Sequence, residues 1–255
     1  MKKILLSVAG YDPSSGAGVS LDLKVFDLLG FMGMAVLTSV TTQNSQRVES
    51  VHSLPPVFVS EQYQLLQEDF GISGIKVGML GYKKNITPID KICSQNQNIP
   101  VVIDPVFSST SGKWLLKKDA IPRFIERISR KASLITPNCA EAALITGKEY
   151  VDLQNAPETG KEIYDRTRIP CLLTGLFHNQ RVINFFYDGK DFYQIDLKKV
   201  SKQVHGTGCL LSASILCFLV QGHSLFESCQ LGSEFTHQAI QKSVAVGTGQ
   251  NFFAL

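Results

Sequence analysis

The sequence lacks most of the marks of several large protein classes. No apolar run reaches the roughly 18 residues needed to span a bilayer as a helix. The opening stretch "MKKILLSVAGYDPSSG" has two lysines before an apolar segment. That segment is only about seven residues, at the bottom of the range for a signal peptide, and it runs into an Asp-Pro-Ser turn. It reads as a buried first strand. Neither charge sign dominates: 25 Lys+Arg against 22 Asp+Glu leave a formal net charge of +3. This is too little to single out nucleic acid or an anionic membrane as the main partner. The lysine-rich stretches near Lys117 and Lys198 are short and read as solvated faces. The six cysteines include no paired zinc-ligand spacing, since the nearest two, Cys209 and Cys217, lie eight positions apart. Cys217 in "SILCFLV" reads as a small core residue, and the set implies a reducing, cytoplasmic compartment. There is no Gly-Lys-Ser/Thr phosphate loop. The glycines at 10, 16 and 18 miss the dinucleotide fingerprint spacing. No linker, repeat or low-complexity segment divides the chain, so a single domain over 1–255 is expected.

What remains is an ordinary globular composition, 44% hydrophobic and 18% charged. Short apolar runs alternate with longer amphipathic ones. Strands are predicted over 3–9, 34–43, 74–80, 100–106, 133–138 and 169–175. Helices are predicted over 18–30, 57–70, 83–95, 119–132, from 140, and over 156–167, 207–221 and 224–245. In the first helix Leu21, Val25, Leu28 and Leu29 form the expected buried face. Pro122 falls in a first helical turn, where its missing N–H costs nothing. Two alternating runs flank "YDGK" within 180–197, a hairpin signal. The fold class is therefore α/β: a three-layer α/β/α sandwich on a mostly parallel central sheet with an antiparallel edge hairpin.

Four stretches carry chemistry. "AGYDPSSGAG" follows the first strand and opens the first helix, with Asp12 and Asp22 as its polar residues. Asp22 either faces a small ligand or is a solvated acid of the helix start. "TTQN" ends the second strand, and the Gln43 amide both donates and accepts, which suits the edge of a heteroaromatic ring. In "TPNCAEA" the spacing of Asn138 and Glu141 fits a capping box. The same residues, with Asp104 at the end of "VVIDPV", also fit a hydrated magnesium ion, which prefers carboxylates, water and phosphate oxygens. "HGTGC" is the most specific element. Amides of Gly206, Thr207 and Gly208 at a helix start can hold phosphoryl oxygens, and Cys209 there is expected to be acidified, partly thiolate near neutral pH.

Taken together, "AGYDPSSGAGVSLDLK", "TTQN", "IKVGML", "VIDPVFSSTSG", "LITPNCAEA", "VHGTGCLLSA" and the closing "VGTG" resemble the hydroxymethylpyrimidine/phosphomethylpyrimidine kinases of the ribokinase-like superfamily nearly end to end. The resemblance implies ATP- and Mg2+-dependent phosphorylation of 4-amino-5-hydroxymethyl-2-methylpyrimidine and of its monophosphate, by a homodimer. It implies Gly10, Asp22, Gln43, Met79 and Val106 around the pyrimidine. Gly206, Thr207 and Gly208 would form an anion hole beside Cys209 as the base. Asp104, Asn138 and Glu141 would lie at the metal and phosphates. Three lysines usual in that family are replaced, by Thr110, Thr174 and Ser233. Each lost cation near a triphosphate is worth about one or two kcal/mol, and Lys202, just before the anion loop, is placed to compensate. A pyridoxal kinase on the same scaffold, or a degenerate kinase kept as a binding protein, are the alternative readings.

Overall fold

Helices pack on both faces of one nine-stranded sheet. The structure, a computed structural model, describes residues 2–109, 111–128 and 130–255. In chain order the strands are β1 (Ile4–Tyr11), β2 (Met32–Gln43), β3 (Val48–Ser53), β4 (Ile72–Val77), β5 (Val101–Ile103), β6 (Leu134–Ile135), β7 (Cys171–His178), β8 (Arg181–Tyr187) and β9 (Phe192–Lys198). The helices are α1 (Gly18–Leu28), α2 (Pro56–Asp69), α3 (Ile86–Gln95), α4 (Ile121–Ile128), α5 (Cys139–Thr146), α6 (Ala156–Thr167), α7 (Thr207–Gln221) and α8 (Leu225–Lys242). The sheet order is β3-β2-β1-β4-β5-β6-β7-β8-β9. The strands from β2 through β1, β4, β5 and β6 to β7 pair in parallel. Among the described residues no helix is long and apolar enough to cross a membrane.

The central strands are apolar throughout because successive residues feed two cores. On β5, Val101 and Ile103 join the core under α2 to α6, while Val102 joins the one under α1, α7 and α8. On β7, Cys171 and Leu173 face the first core and Leu172 the second. Side chains alternate across a strand, so a sheet covered on both faces has no polar side to show.

The structure differs from the sequence expectations mainly at the edges. β3 was not expected. Its half-polar "VESVHS" pairs antiparallel with β2, so both sheet edges are antiparallel. At the other edge the predicted β8–β9 hairpin turns at Gly189, with the Asp188 carboxylate accepting from the Lys190 and Asp191 amides. β7 and β8 form a second hairpin, turning through Asn179 and Gln180, both left-handed at φ 43° and 66°. On α1, Leu21 and Val25 are buried as expected, but Leu28 is 53% exposed and Phe26 takes its place in the core. β5 stops at Ile103, short of the predicted 106, where the chain turns through Asp104-Pro105.

Phe124 of α4 is fully buried and meets the Phe107 ring edge-on at 5.9 Å between centroids. Phe124→Ala is expected to cost about 3–5 kcal/mol in urea unfolding. A loss under about 1 kcal/mol would place that ring outside the cooperative core.

Candidate active site

Carboxyl ends of the parallel strands open onto one cavity of about 680 Å³, where open α/β sheets hold their ligands. Gly10 ends β1, Gln43 ends β2, Met79 follows β4, Asp104 and Val106 follow β5, and Asn138 follows β6; all line it, as do Gly206 to Cys209. Sequence reasoning thus brings together nearly all the residues it singled out.

The glycines hold two loops in close contact. Gly206 caps α7 with φ +78°, and a Cβ there would stand 2.0 Å from the Gly16 carbonyl oxygen. Gly18 has φ +59°, and its Cβ would meet the Gly10 carbonyl oxygen at 2.2 Å. Side chains at these points are excluded twice, by conformation and by space. The N-terminus of α7 is thereby pressed onto the β1–α1 loop, with its free amides at the cavity.

Asp22 is not where the sequence reading placed it. It is fully buried and does not line the cavity. Its carboxylate accepts two bonds from Lys76 Nζ, at 2.8 and 2.9 Å, and one from Ser7 Oγ at 2.5 Å. A helix-start acid facing inward needs a counter-charge, and β4 supplies one. Lys76 Nζ also lies 4.0 Å from Asp104 Oδ2. Sequence reasoning missed Lys76, although a lysine inside the apolar run "GIKVGML" is itself a signal, since lysine is almost never fully buried unless paired.

Cys209 also departs from expectation. Burial pushes its thiol up to about 12; Lys76 opposes this, while Asp104 and Asp22 add to it. The helix N-terminus does not outweigh them, so the Cys209 thiol is held toward its neutral form. Lys202 lines the cavity, but its ammonium donates to the Gln241 and Ser243 carbonyls at 2.7 and 3.0 Å, closing the end of α8. These two bonds take up two of its three hydrogens. Thr110 lies outside the described residues. Thr174 lines the cavity, and Ser233 accepts from Asn184 Nδ2 at 3.2 Å, so neutral polar groups stand at both positions.

Asn138 and Glu141 form the reciprocal capping box of α5. Glu141 is nevertheless part of the cavity wall, and burial together with the Asp104 charge raises its pKa. Burial likewise raises Asp104, which Lys76 pulls back and Asp22 pushes further. Two carboxylates that repel each other at one wall suit a divalent cation. Among the described residues no group of three or more His, Cys, Asp or Glu encloses an ion. The donor set therefore fits magnesium that keeps water and phosphate ligands.

Two further residues were underrated. His205 Nε2 donates to Asp12 Oδ2 at 2.9 Å and stands 3.4 Å from Gln43 Nε2. Burial works against the Asp12 charge, yet bonds from His205, Ser14 and Gln43 hold its pKa down to about 2.

Removing one partner of the buried pair should be costly. Lys76→Met is expected to lose about 3–5 kcal/mol in urea unfolding, because Asp22 is left charged and unpaired. The double variant Lys76→Met/Asp22→Asn should regain most of that. Equal losses in both would show that the charge is not what matters. For Cys209, iodoacetamide at neutral pH should modify the folded protein far more slowly than a free thiol, followed by mass spectrometry. Alkylation as fast as a free thiol would contradict the protonated state.

The comparisons with known proteins point the same way. Residues 12–253 match the family model described as phosphomethylpyrimidine kinase. The chain is 34% identical to a hydroxymethylpyrimidine/phosphomethylpyrimidine kinase of Aquifex aeolicus, over 96% of this chain and 97% of that one. It superposes on the pyridoxal kinase of Staphylococcus aureus in complex with ADP with a TM-score of 0.90 at 26% identity, covering 99% of this chain and 93% of that one. A phosphomethylpyrimidine kinase of Clostridium difficile gives 0.80 at 30% identity, covering 94% of this chain and all of that one. With its site assembled from the ends of six parallel strands and its match running almost end to end, the chain belongs to the phosphomethylpyrimidine kinase family.

Proposed function

We propose that this kinase transfers the terminal phosphoryl group of ATP to 4-amino-5-hydroxymethyl-2-methylpyrimidine and then to the resulting monophosphate, as one cytoplasmic domain working as a homodimer. The single observation that carries the reading is the division of the cavity. Gly10, Gln43, Met79 and Val106 offer a narrow, mostly apolar slot with one amide. The Gly206–Gly208 amides and Cys209 line the same cavity. A Cβ at Gly10 would stand 2.8 Å from Ser39 Oγ and 3.0 Å from Met79 Sδ, so only glycine fits at this point of the wall. Six free cysteines support the reducing compartment.

Phosphoryl transfer needs positioning and charge stabilisation more than covalent chemistry. In this reading the loop amides hold the phosphoryl oxygens, and Asp104 and Glu141 steer a hydrated magnesium ion. That ion supplies charge neutralisation on the phosphates. Cys209 stands beside the substrate hydroxyl. In this reading it takes up the hydroxyl proton as it passes its own to the Asp104 carboxylate, which lines the same cavity, and so never needs to be a free thiolate. The triphosphate lies toward Thr174, Asn184 and Ser233, where Thr236 Oγ1 is buried without a partner among the described residues.

A pyridoxal kinase is the second reading, favoured by the fit to the Staphylococcus aureus enzyme. Steady-state turnover on the pyrimidine alcohol, its monophosphate and pyridoxal decides between them. The proposal expects the highest kcat/KM on the pyrimidine alcohol. Cys209→Ser should lower kcat by about 10² with KM little changed. A preference for pyridoxal would establish the second reading, and no turnover on any of the three would reject both.

A further inference from the structure

We infer that Lys76 sets how well this site holds a phosphorylated acceptor: its ammonium is the positive end of a buried dipole aimed at the anion loop, and it serves the anionic monophosphate more than the neutral alcohol. The inference rests on reading the cavity as the site of both acceptors.

Lys76 is the one buried Lys or Arg among the described residues, and it is fully buried. Two of its three hydrogens go to the two oxygens of Asp22, at 2.8 and 2.9 Å. Ser7 Oγ, from β1, holds Asp22 in turn at 2.5 Å. The ammonium is therefore fixed in place. Lys76 belongs to the cavity wall and Asp22 does not, so the pair stands with its positive end toward the cavity. A buried ion pair is often no more stable than a well-packed apolar pair of the same volume. Stability alone does not account for this one.

That positive end lies one layer behind the anion loop. Lys76 Nζ stands 4.0 Å from Asp104 Oδ2, and a Cβ at Gly208 would stand 3.8 Å from both Asp104 oxygens. Ser212, on α7, donates to the same Oδ2 at 3.3 Å. Asp104 is thus held between Lys76 and the loop. A phosphate bound by the loop amides meets two acids, Asp104 and Glu141, on the same cavity wall. The other lysines and arginines that line the cavity are differently placed. Lys202 is bonded to the end of α8, and Arg47 and Lys198 are exposed, where water and salt screen them. A buried charge acts more strongly across a low-dielectric wall. A neutral hydroxymethyl group gains little from it, whereas a phosphate monoester with about two negative charges gains much. Lys76 acts through this field and not by contact with either acceptor.

Calorimetric titration with the pyrimidine alcohol and its monophosphate, at about pH 8 where the monophosphate is close to fully ionised and without nucleotide or metal, tests this. The proteins are the wild type, Lys76→Met, Asp22→Asn and Lys76→Met/Asp22→Asn, with thermal melts to confirm folding. Both single changes break the pair, so a purely structural role moves the two ligands alike in both. The field separates them. Lys76→Met and the double variant should each weaken the monophosphate relative to the alcohol by about tenfold. Asp22→Asn leaves the cation in place and should keep or raise the relative affinity for the monophosphate. If a single variant does not fold, the double variant, which leaves no unpaired charge, decides. An unchanged ratio in folded Lys76→Met or in the double variant overturns the inference alone. So does a folded Asp22→Asn that shifts as Lys76→Met does, or a wild type that binds the alcohol but not the monophosphate. Binding of neither ligand by the wild type removes the reading of the pocket, and this inference with it.

Discussion

The contact between two backbone loops is the constraint on which the site depends. The β1–α1 loop and the loop before α7 approach so closely that a methyl group at Gly206 would stand 2.0 Å from the Gly16 carbonyl oxygen. No side chain separates them. The amides at the start of α7 therefore open onto the cavity beside the end of β1, and any ligand of one loop lies against the other. The C-terminal segment reinforces this. The Asn251 carbonyl accepts from the His205 amide, and the Gln250 amide donates to the Ser45 carbonyl in the turn after β2. Residues near both ends of the chain thus brace one small region, which explains why glycines cluster there despite their entropic cost on folding.

That arrangement was largely legible in the sequence. Each parallel strand is a short apolar run ending in a polar or glycine-rich motif, and the physics of such sheets sends those ends to one side. Gly10, Gln43, Asp104 and Asn138 could be placed on that principle, and the Gly206–Gly208 loop by its amides at a helix start. What stayed hidden depends on pairs distant in the chain. Asp22 reads as a candidate ligand group until Lys76, 54 positions later, is seen to neutralise it. Lys202 reads as a free cation until the end of α8 arrives to take its hydrogens. β3 escaped because a short, half-polar edge strand carries no continuous apolar signal.

The protonation of Cys209 shows the same limit in electrostatic form. Helix-start position is a local property, and locally it favours the thiolate. Burial and the Asp104 and Asp22 charges come from β5 and α1, and together they outweigh it. The residue type and its place in the loop were readable, whereas its charge was decided by elements that no local pattern reports.

The same buried charges bear on the chemistry. Asp22, Asp104 and Glu141 are three carboxyl groups, each at most 5% exposed, with Lys76 as the cation among them. Lys76 is bonded to Asp22 at 2.8 Å and stands at 4.0 Å from Asp104, so most of its charge is spent on the acid that does not line the cavity. The two that do line it, Asp104 and Glu141, are raised in pKa first by burial, with the Asp22 charge adding to it at Asp104 and the Asp104 charge at Glu141. Adding a triphosphate to that wall without a cation would increase the repulsion. Thr174 and Ser233 offer dipoles, not charges, to offset it. The wall is thus poised for phosphate that arrives already neutralised in part. In the proposed reading, such a wall favours a metal-bound nucleotide over a bare one.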